Sequence, residues 1–577
     1  MTTVQARSAR TIRYHMRGSA LWSRGDRGPV AAGLVALLVA VPIMVVVSSL
    51  ATPSLDVWAH LWQTRLLELL WNTLALIVGV GLGVLLLGIG LAWLVTLYRF
   101  PGRALFEWLL ILPMAMPAYV IGFVFLAIFN FTGPVQSWLR GLLGPRVWFP
   151  DIASYGGLVL VMTLVLYPYL YLLARTAFLE QSAGIVEAAR ALGVSELRTF
   201  WKVALPLARP SIAAGLGLAL MEALADFGTV AIYGYSTFTV AIYRVWFGLF
   251  NRHAATELAS VLLFFTFGLY LIEHAMRGRA RFSQTEGSVR PLQAKQLSGW
   301  RAWAATGVSG LVVGGGFVLP IAQLLFWMVT TIGGSDYDTR YPVFLLNTLL
   351  LAIVTAAVAV AAAVVLAYGL RLSRSRIMAI FARVATLGYA VPGSVIAVGV
   401  LIPLAFCDHT LDGFLRHTFG VSSGLLLTGS MVGLVYAYVV RFLAVSCQPV
   451  EASLNRITPS MDMAARSLGT SPGGVLRRIH LPLIRAGLGN AAILVFVDVM
   501  KEMPATLLLR PFGYDTLAVR IWQFTSESLW EAAALPSLTI VASGMIPVLV
   551  LIGRLRPSTS RDNRAPSGER AVCGKTR

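Results

Sequence analysis

Four acidic side chains stand where acids are rare. Glu222 and Asp226 lie four residues apart in an apolar run, and Asp498 and Glu502 repeat that spacing 276 residues later. On a helix, this spacing puts both carboxylates of a pair on one face. A carboxylate within a bilayer is costly unless it meets water or a partner. Two such faces turned toward each other would make an oxygen-rich passage suited to a hard cation. The plainer reading is internal pairing, with Lys501 beside Glu502 and with Arg244, Arg510 or Arg520 from adjoining segments. Bond-making chemistry finds no support. There is no Ser/His/Asp set and no metal-ligand motif, and Cys407, Cys447 and Cys573 are scattered without metal or redox spacing. The string 568–576 ends Gly574-Lys575-Thr576 but has five residues between its glycines. A phosphate loop needs four, after a strand.

Such acids need membrane helices to hold them. The chain has 577 residues, 57% hydrophobic and 12% charged, with mean hydropathy +0.76. Apolar stretches of about 20 residues, each long enough to cross the hydrocarbon layer, fall at 29–50, 69–98, 106–130, 156–178, 207–228 and 256–275. Six more follow at 303–331, 344–370, 377–406, 424–445, 484–508 and 534–553. The expected fold is an all-α polytopic membrane protein. The run 30–50 is too long for a cleavable signal and lacks a small-residue cleavage site, so it reads as the first helix. The net charge of +20 is sorted rather than uniform. With a cytosolic N-terminus, most Lys and Arg fall on the cytosolic side, the positive-inside pattern. No basic cluster is paired with a base-stacking aromatic platform, which argues against nucleic acid as a partner.

Six spans and six spans form a repeat. Asn72-Thr73 and Asn347-Thr348 stand 275 residues apart, as do Pro117 and Pro392; Gly193, Leu205 and Pro206 match Gly469, Leu481 and Pro482 at 276. Arg244 and Trp246 also match Arg520 and Trp522 at 276. Six spans return each copy to the same side, so the repeats are parallel. The division is a basic arm (1–28), a first repeat (29–275), a basic linker (276–302), a second repeat (303–553) and a basic tail (554–577), with both termini cytosolic. The prolines Pro117 and Pro392 are expected to kink the third helix of each half. Asn72 and Asn347 are expected to cap or to bond between helices, and Gly79, Gly81 and Gly83 to permit close helix packing.

One polar stretch also occurs twice. Glu187-Ala188-Ala189-Arg190-Ala191-Leu192-Gly193 is followed by twelve residues and Pro206, and Met463-Ala464-Ala465-Arg466-Ser467-Leu468-Gly469 by twelve residues and Pro482. A single copy would be no more than a good helix former ended by glycine. Two copies in matching cytosolic loops argue for a docking surface, with each proline opening the next membrane helix.

These loops resemble the coupling loop of bacterial ATP-binding-cassette importer permeases, whose motif is Glu-Ala-Ala, three residues, Gly, a stretch, then Pro. The resemblance implies the type I importer permease fold, with five core helices per half and the first helix of each half packed outside. It assigns contact with two cytosolic ATPase subunits to Glu187, Ala188, Ala189 and Gly193, and to Asp462, Ala464, Ala465 and Gly469. The second copy departs from the motif: Met463 stands at the Glu position, with Asp462 one residue early. The strings 225–230, 235–239, 498–506 and 510–518 are similar to the fused ferric-iron permeases. That similarity implies a transport subunit of the cell inner membrane rather than an enzyme. Cargo would come from an extracytoplasmic binding protein. The chain would hold no cofactor, ATP being bound by its partners, and Glu222, Asp226, Asp498 and Glu502 would line the pathway. The alternatives are import of thiamine, a phosphonate or another small solute through the same architecture, or an ion-gradient-driven transporter of parallel halves.

Overall fold

The computed structural model describes residues 28–51, 53, 55–180, 193–277, 294–332, 338–372 and 376–555. Most of the N-terminal arm, Glu187 to Ala189 of the first repeated loop, most of the linker and the tail with its Gly-Lys-Thr string lie outside these residues. In the first half the long helices are α1 (Gly28–Ser48), α2 (Leu66–Leu97), α3 (Ala118–Phe129), α4 (Tyr155–Glu180), α5 (Leu205–Ala225) and α6 (Arg252–Arg277). In the second half α7 runs from Trp300–Val313 through a π-turn into Leu319–Ile332. It is followed by α8 (Tyr341–Leu372), α9 (Gly393–Phe419), α10 (Met431–Leu454), α11 (Leu481–Met500) and α12 (Ala534–Leu555). Eleven described helices are long and apolar enough to cross a bilayer, and α12 carries a shorter apolar stretch, Ala534–Val550. The architecture is two parallel six-helix repeats.

The first helix of each half does more than pack outside: it crosses to the other half. Ala32, Ala36, Val39 and Val46 of α1 are buried in the core built on α8, α9 and α10, and the Tyr436 hydroxyl donates to the Leu38 carbonyl at 2.6 Å. In turn Ala302, Ala305, Val312, Leu324 and Trp327 of α7 belong to the core built on α2, α3 and α4, where Trp327 stacks near Phe123. Each core is therefore completed by the other repeat. The glycines on α2 act as packing sites. A Cβ on Gly79, Gly83 or Gly88 would meet Tyr155, Thr163 or Leu170 of α4, and one on Gly81 would meet Leu220 of α5. Tyr98–Arg99, just past α2, pairs in parallel with Lys295–Gln296, tying the end of the inter-repeat linker to the first half.

Several boundaries differ from the hydropathy reading. The third span of each half is broken rather than kinked. A short helix (Arg103–Leu109 or Arg376–Thr386) leads into a 3₁₀ turn (Leu112–Ala115 or Leu387–Ala390), and α3 or α9 starts only after Pro117 or Pro392. Met116 and Val391 are extended, with ψ of 128° and 127°, as the following proline requires. The fourth span of the second half is Met431–Leu454, not 424–445. Gly424 and Gly429 have positive φ, Ser430 caps the helix through the Val432 amide, and the helix continues past polar Gln448 and Glu451. α9 outlasts its apolar run and ends at Phe419, and Asp408 within it accepts the amides of Leu426, Leu427 and Thr428 from the returning loop. The fifth span of each half also breaks, at Asp226 and at Lys501 to Met503.

The match of Arg244 and Trp246 to Arg520 and Trp522 does not hold in three dimensions. The helices that carry them begin at Phe238 and Leu517, after Thr237 and Thr516. That offset is 279, so the second repeat has gained three residues in the preceding loop. The asparagines confirm this register. The Asn72 side-chain amide donates to Ser236 O at 3.0 Å and the Tyr235 hydroxyl donates to Asn72 O at 3.2 Å. Asn347 repeats both bonds with Asp515 (3.0 Å) and Tyr514 (2.7 Å). Each asparagine therefore pins α2 or α8 to the loop past the helix break, an interhelical role rather than a cap.

The crossing of α1 is testable. A side chain on Gly399 of α9 would run into the Pro42 carbonyl of α1. Gly399→Leu should destabilise the protein by about 1–3 kcal/mol, seen as a lower unfolding midpoint in detergent. An unchanged midpoint would contradict the contact.

Candidate functional site

The four acids meet at the two helix breaks. α5 ends at Ala225 and Asp226 is extended; its carboxylate then accepts the Thr229 amide and hydroxyl, both at 2.9 Å, and the Val230 amide at 3.2 Å. These donors open the short helix Gly228–Ile232. Past α11, Glu502 does the same for Pro504–Leu509, its Oε1 accepting the Ala505 amide at 3.1 Å. A chain interrupted inside a membrane must find partners for its freed backbone groups. Here the acids supply them.

The expected shared helix face holds only in part, because Asp226 and Glu502 lie beyond the helices that carry Glu222 and Asp498. All four nevertheless line one cavity of about 100 Å³ between the halves, with Tyr119, Tyr169, Arg441 and Lys501 also in its wall. Their pairing is lopsided. Arg441 of α10 lies 3.0 Å from Glu502, and Lys501 lies 2.8 Å from Asp498. Glu222 accepts the Tyr389 hydroxyl at 3.0 Å, and Asp226 has the donors above. Among the described residues neither Glu222 nor Asp226 has a cationic partner. The positions matching Arg441 and Lys501 in the first half are Val165 and Ala225. With four carboxylates and two cations on its wall, the cavity has an excess of negative charge. Among the described residues no group of three or more His, Cys, Asp or Glu side chains converges as a metal site would need.

Arg510 and Arg520 are engaged elsewhere. Arg510 pairs with Asp515, and Arg520 with Asp338 at 2.8 Å. Sequence reasoning missed Arg441 and the tyrosines. A lone arginine in the apolar run 424–445 was the available signal for Arg441. No spacing flagged Tyr119, Tyr169 or Tyr389.

A second cavity, of about 440 Å³, continues from the first. Gln448 and Val550 line it, and both lie within two turns of the ends of α10 and α12 nearest the basic segments.

At that face the second repeated loop forms the helix Pro459–Ser467, closed by Gly469 at φ +79°. The Gly469 amide donates to Arg466 O at 2.9 Å and the Thr470 amide to Ala465 O at 3.1 Å. Met463, Ala464 and Leu468 are exposed, while Ala465 is buried. Asp462 turns inward, 2.9 Å from Arg371 at the end of α8 and 2.7 Å from His480, the residue preceding α11. Arg371 also donates to Leu454 O (2.8 Å) and Ile457 O (3.0 Å). The one acid of this loop therefore anchors it from beneath. In the first copy only Gly193 is described, again left-handed at φ +75°. Past each loop a π-turn, Phe200–Ala204 or Leu476–His480, leads into the helix carrying Pro206 or Pro482. The prolines thus sit nearly three turns (about 3.6 residues each) inside continuous rods that start at Glu196 and Pro472, instead of opening them.

Comparison with known proteins gives this arrangement a family. Residues 84–276 match the family model described as binding-protein-dependent transport system inner membrane component. The chain is 29% identical to the Fe(3+)-transport system permease protein FbpB 2 of Haemophilus influenzae, over 85% of this chain and 90% of that one. It is 29% identical to the sulfate transport system permease protein CysT of Escherichia coli, over 40% of this chain and 83% of the other. With the molybdenum transport system permease protein ModB of the same species it shares 31% identity, over 30% of this chain and 71% of the relative. The chain belongs to the binding-protein-dependent transport permeases. As a multi-pass member of that inner-membrane family, it has the permease fold twice in one polypeptide, and its two cavities lie where the repeats meet.

The anchor of the second loop can be measured. Arg371→Met leaves Asp462 with His480 alone and strips two carbonyls of their donor, a loss of about 2 kcal/mol for hydrogen bonds to charged groups. The expected result is faster tryptic cleavage at Arg466, Arg477 or Arg478 than in the native permease. Equal cleavage would remove Arg371 from the anchor.

Proposed function

We propose that this permease carries ferric iron from an extracytoplasmic binding protein into the cytoplasm, driven by two separate ATPase subunits. The observation that carries the cargo is the likeness to an Fe(3+) permease over 85% of the chain, joined to a cavity whose carboxylates outnumber its cations. That excess disfavours an anionic cargo. A sulfate, molybdate or phosphonate would meet four carboxylates against two cations in that wall, and like charges repel more strongly in a medium less polar than water. Thiamine, itself a cation, fits the same charge balance, so it is the likeness to the Fe(3+) permease that favours iron over it.

In this reading both termini are cytosolic, residues 29–275 and 303–553 are the two moving halves, and Glu187 to Gly193 and Asp462 to Gly469 receive the ATPases. Support comes from the exposed Met463 and Leu468, and from Gly193 and Gly469, where an added Cβ would meet nothing within 4 Å. The chain itself binds no nucleotide. ATP-driven closure of the partner subunits draws the loops together and turns the pathway outward, and hydrolysis restores the inward opening, a rigid-body switch between two states. An ion-gradient transporter would have no use for two such loops.

Two experiments with the reconstituted ATPase complex test this. Gly469→Val costs about 1–2 kcal/mol of backbone strain and fills the docking space, so ATP hydrolysis should persist while iron uptake is lost; unchanged uptake would remove the loop from coupling. Glu222→Gln with Asp226→Asn strands no cation, so it should slow iron uptake by about tenfold or more, a barrier change of about 1.4 kcal/mol, at normal membrane yield. Asp498→Asn or Glu502→Gln alone should instead lower yield, since stranding a buried cation costs about 3–5 kcal/mol. Native uptake by the double variant would dismiss the lining role.

A further inference from the structure

The two cavities share a neck. Four residues line both: Met114, Tyr169, Asp498 and Lys501. On one side of that neck the Lys501 ammonium lies 2.8 Å from Asp498, one helical turn back on α11. Its backbone belongs to the break, since Lys501 is the cap residue where α11 ends, and the Tyr119 hydroxyl faces its carbonyl at 3.5 Å. No counterpart exists in the first half, where Ala225 holds the matching place.

We propose that the Lys501 ammonium is a tethered cation that closes the neck between the two cavities, and that cargo passes when Asp498 is transferred from Lys501 to the incoming ion. This rests on the cation-pathway reading above. The physics is charge competition. A second cation entering the neck meets a fixed positive charge at Asp498, the carboxylate that lines both cavities. A monovalent ion gains little by replacing an ammonium already in place. A highly charged ion gains several times more from the same carboxylate, because Coulomb attraction scales with charge. Lys501 is mounted on the segment joining α11 to Pro504–Leu509, so any bending at the break swings the ammonium with it. The device therefore combines a gate with a selectivity filter, and it is built from one repeat alone.

The test reads passage through the neck directly, without iron or ATP. A reporter cysteine is placed at Ala118, which lines the cavity beyond the neck, with Cys407, Cys447 and Cys573 replaced by serine. In inside-out vesicles holding the full transporter, A118C is reacted with aminoethyl methanethiosulfonate (cationic) and sulfonatoethyl methanethiosulfonate (anionic). With Lys501 present the cationic reagent should react slowly. Lys501→Met should speed it by about tenfold, as for a barrier lowered by about 1.4 kcal/mol, and Lys501→Arg should restore the slow rate. Asp498→Asn with Lys501→Met should abolish the preference for the cationic reagent, whereas a merely steric opening would keep both reagents equally fast in every variant. Should Lys501→Met not insert, Lys501→Gln carries the same expectation. Equal cationic rates with and without Lys501 overturn the gate. Failure of the native complex to accumulate iron would instead remove the cargo assignment and leave an observed gate standing.

Discussion

A backbone that breaks inside a membrane must have its exposed amides satisfied, and in this permease the satisfying groups are carboxylates. Asp226 and Glu502 each accept from the first amides of the short helix that follows. An amide carbonyl or a hydroxyl could have capped the same turns at lower electrostatic cost. By using acids the chain places charge at the centre of a low-dielectric body, where every unit needs an answer. Arg441 and Lys501 answer for the second repeat. In the first repeat the answers are a tyrosine hydroxyl, a threonine and amides, which stabilise the charge without cancelling it. Two copies of one motif thus become a wall with a net negative side, and the asymmetry follows from two positions, Val165 against Arg441 and Ala225 against Lys501.

The same breaks are mechanically useful because what surrounds them is stiff. Each core is closed by the first helix of the other repeat, so the halves can rock while remaining threaded together. α11 is a rod of about 30 Å by its rise per residue. One end follows His480, which is bound to the second loop through Asp462 and Arg371; the other ends at Lys501 in the cavity wall. Force applied to Met463 or Leu468 therefore has a continuous path of packed helix to the charged neck. Asp462, which stands one place early in the motif, fits this geometry: it faces the interior that a glutamate at position 463 would turn away from.

Much of this was legible in the sequence, and the failures have physical causes. Spans and repeats were readable because a bilayer demands length and apolarity, and these dominate composition. Breaks at Pro117, Pro392, Asp226 and Glu502 were hidden because hydropathy is blind to dihedral angles. A window over 207–228 or 484–508 stays apolar whether or not the helix is continuous. Arg441 was overlooked inside an apolar run for a related reason, since one charge barely lowers a window average. The repeat register beyond the breaks was misassigned because Arg and Trp recur by coincidence at 276, whereas the tyrosine–asparagine bonds require 279. The acids themselves were recognised, but their partners come from α10 and from the break itself, contacts that no local spacing encodes. Glu187, Ala188 and Ala189 of the first repeated loop fall outside the described structure, so only the second loop shows how such a motif is seated.

Separating these parts explains how one permease fold can serve cargoes of opposite charge. In the proposed function coupling needs the loops, the rods behind them and the interlocked cores, all of which are indifferent to what occupies the cavity. The sign of the cavity depends instead on a few side chains at the breaks. Adding cations at 165 and 225 would bring the wall of this permease to balance without touching a loop or a core contact of α1 or α7. Cargo choice can therefore shift by substitution at the breaks while the drive mechanism is preserved. For the present chain the balance lies with the carboxylates, and it was reached by leaving half of a symmetric site uncompensated.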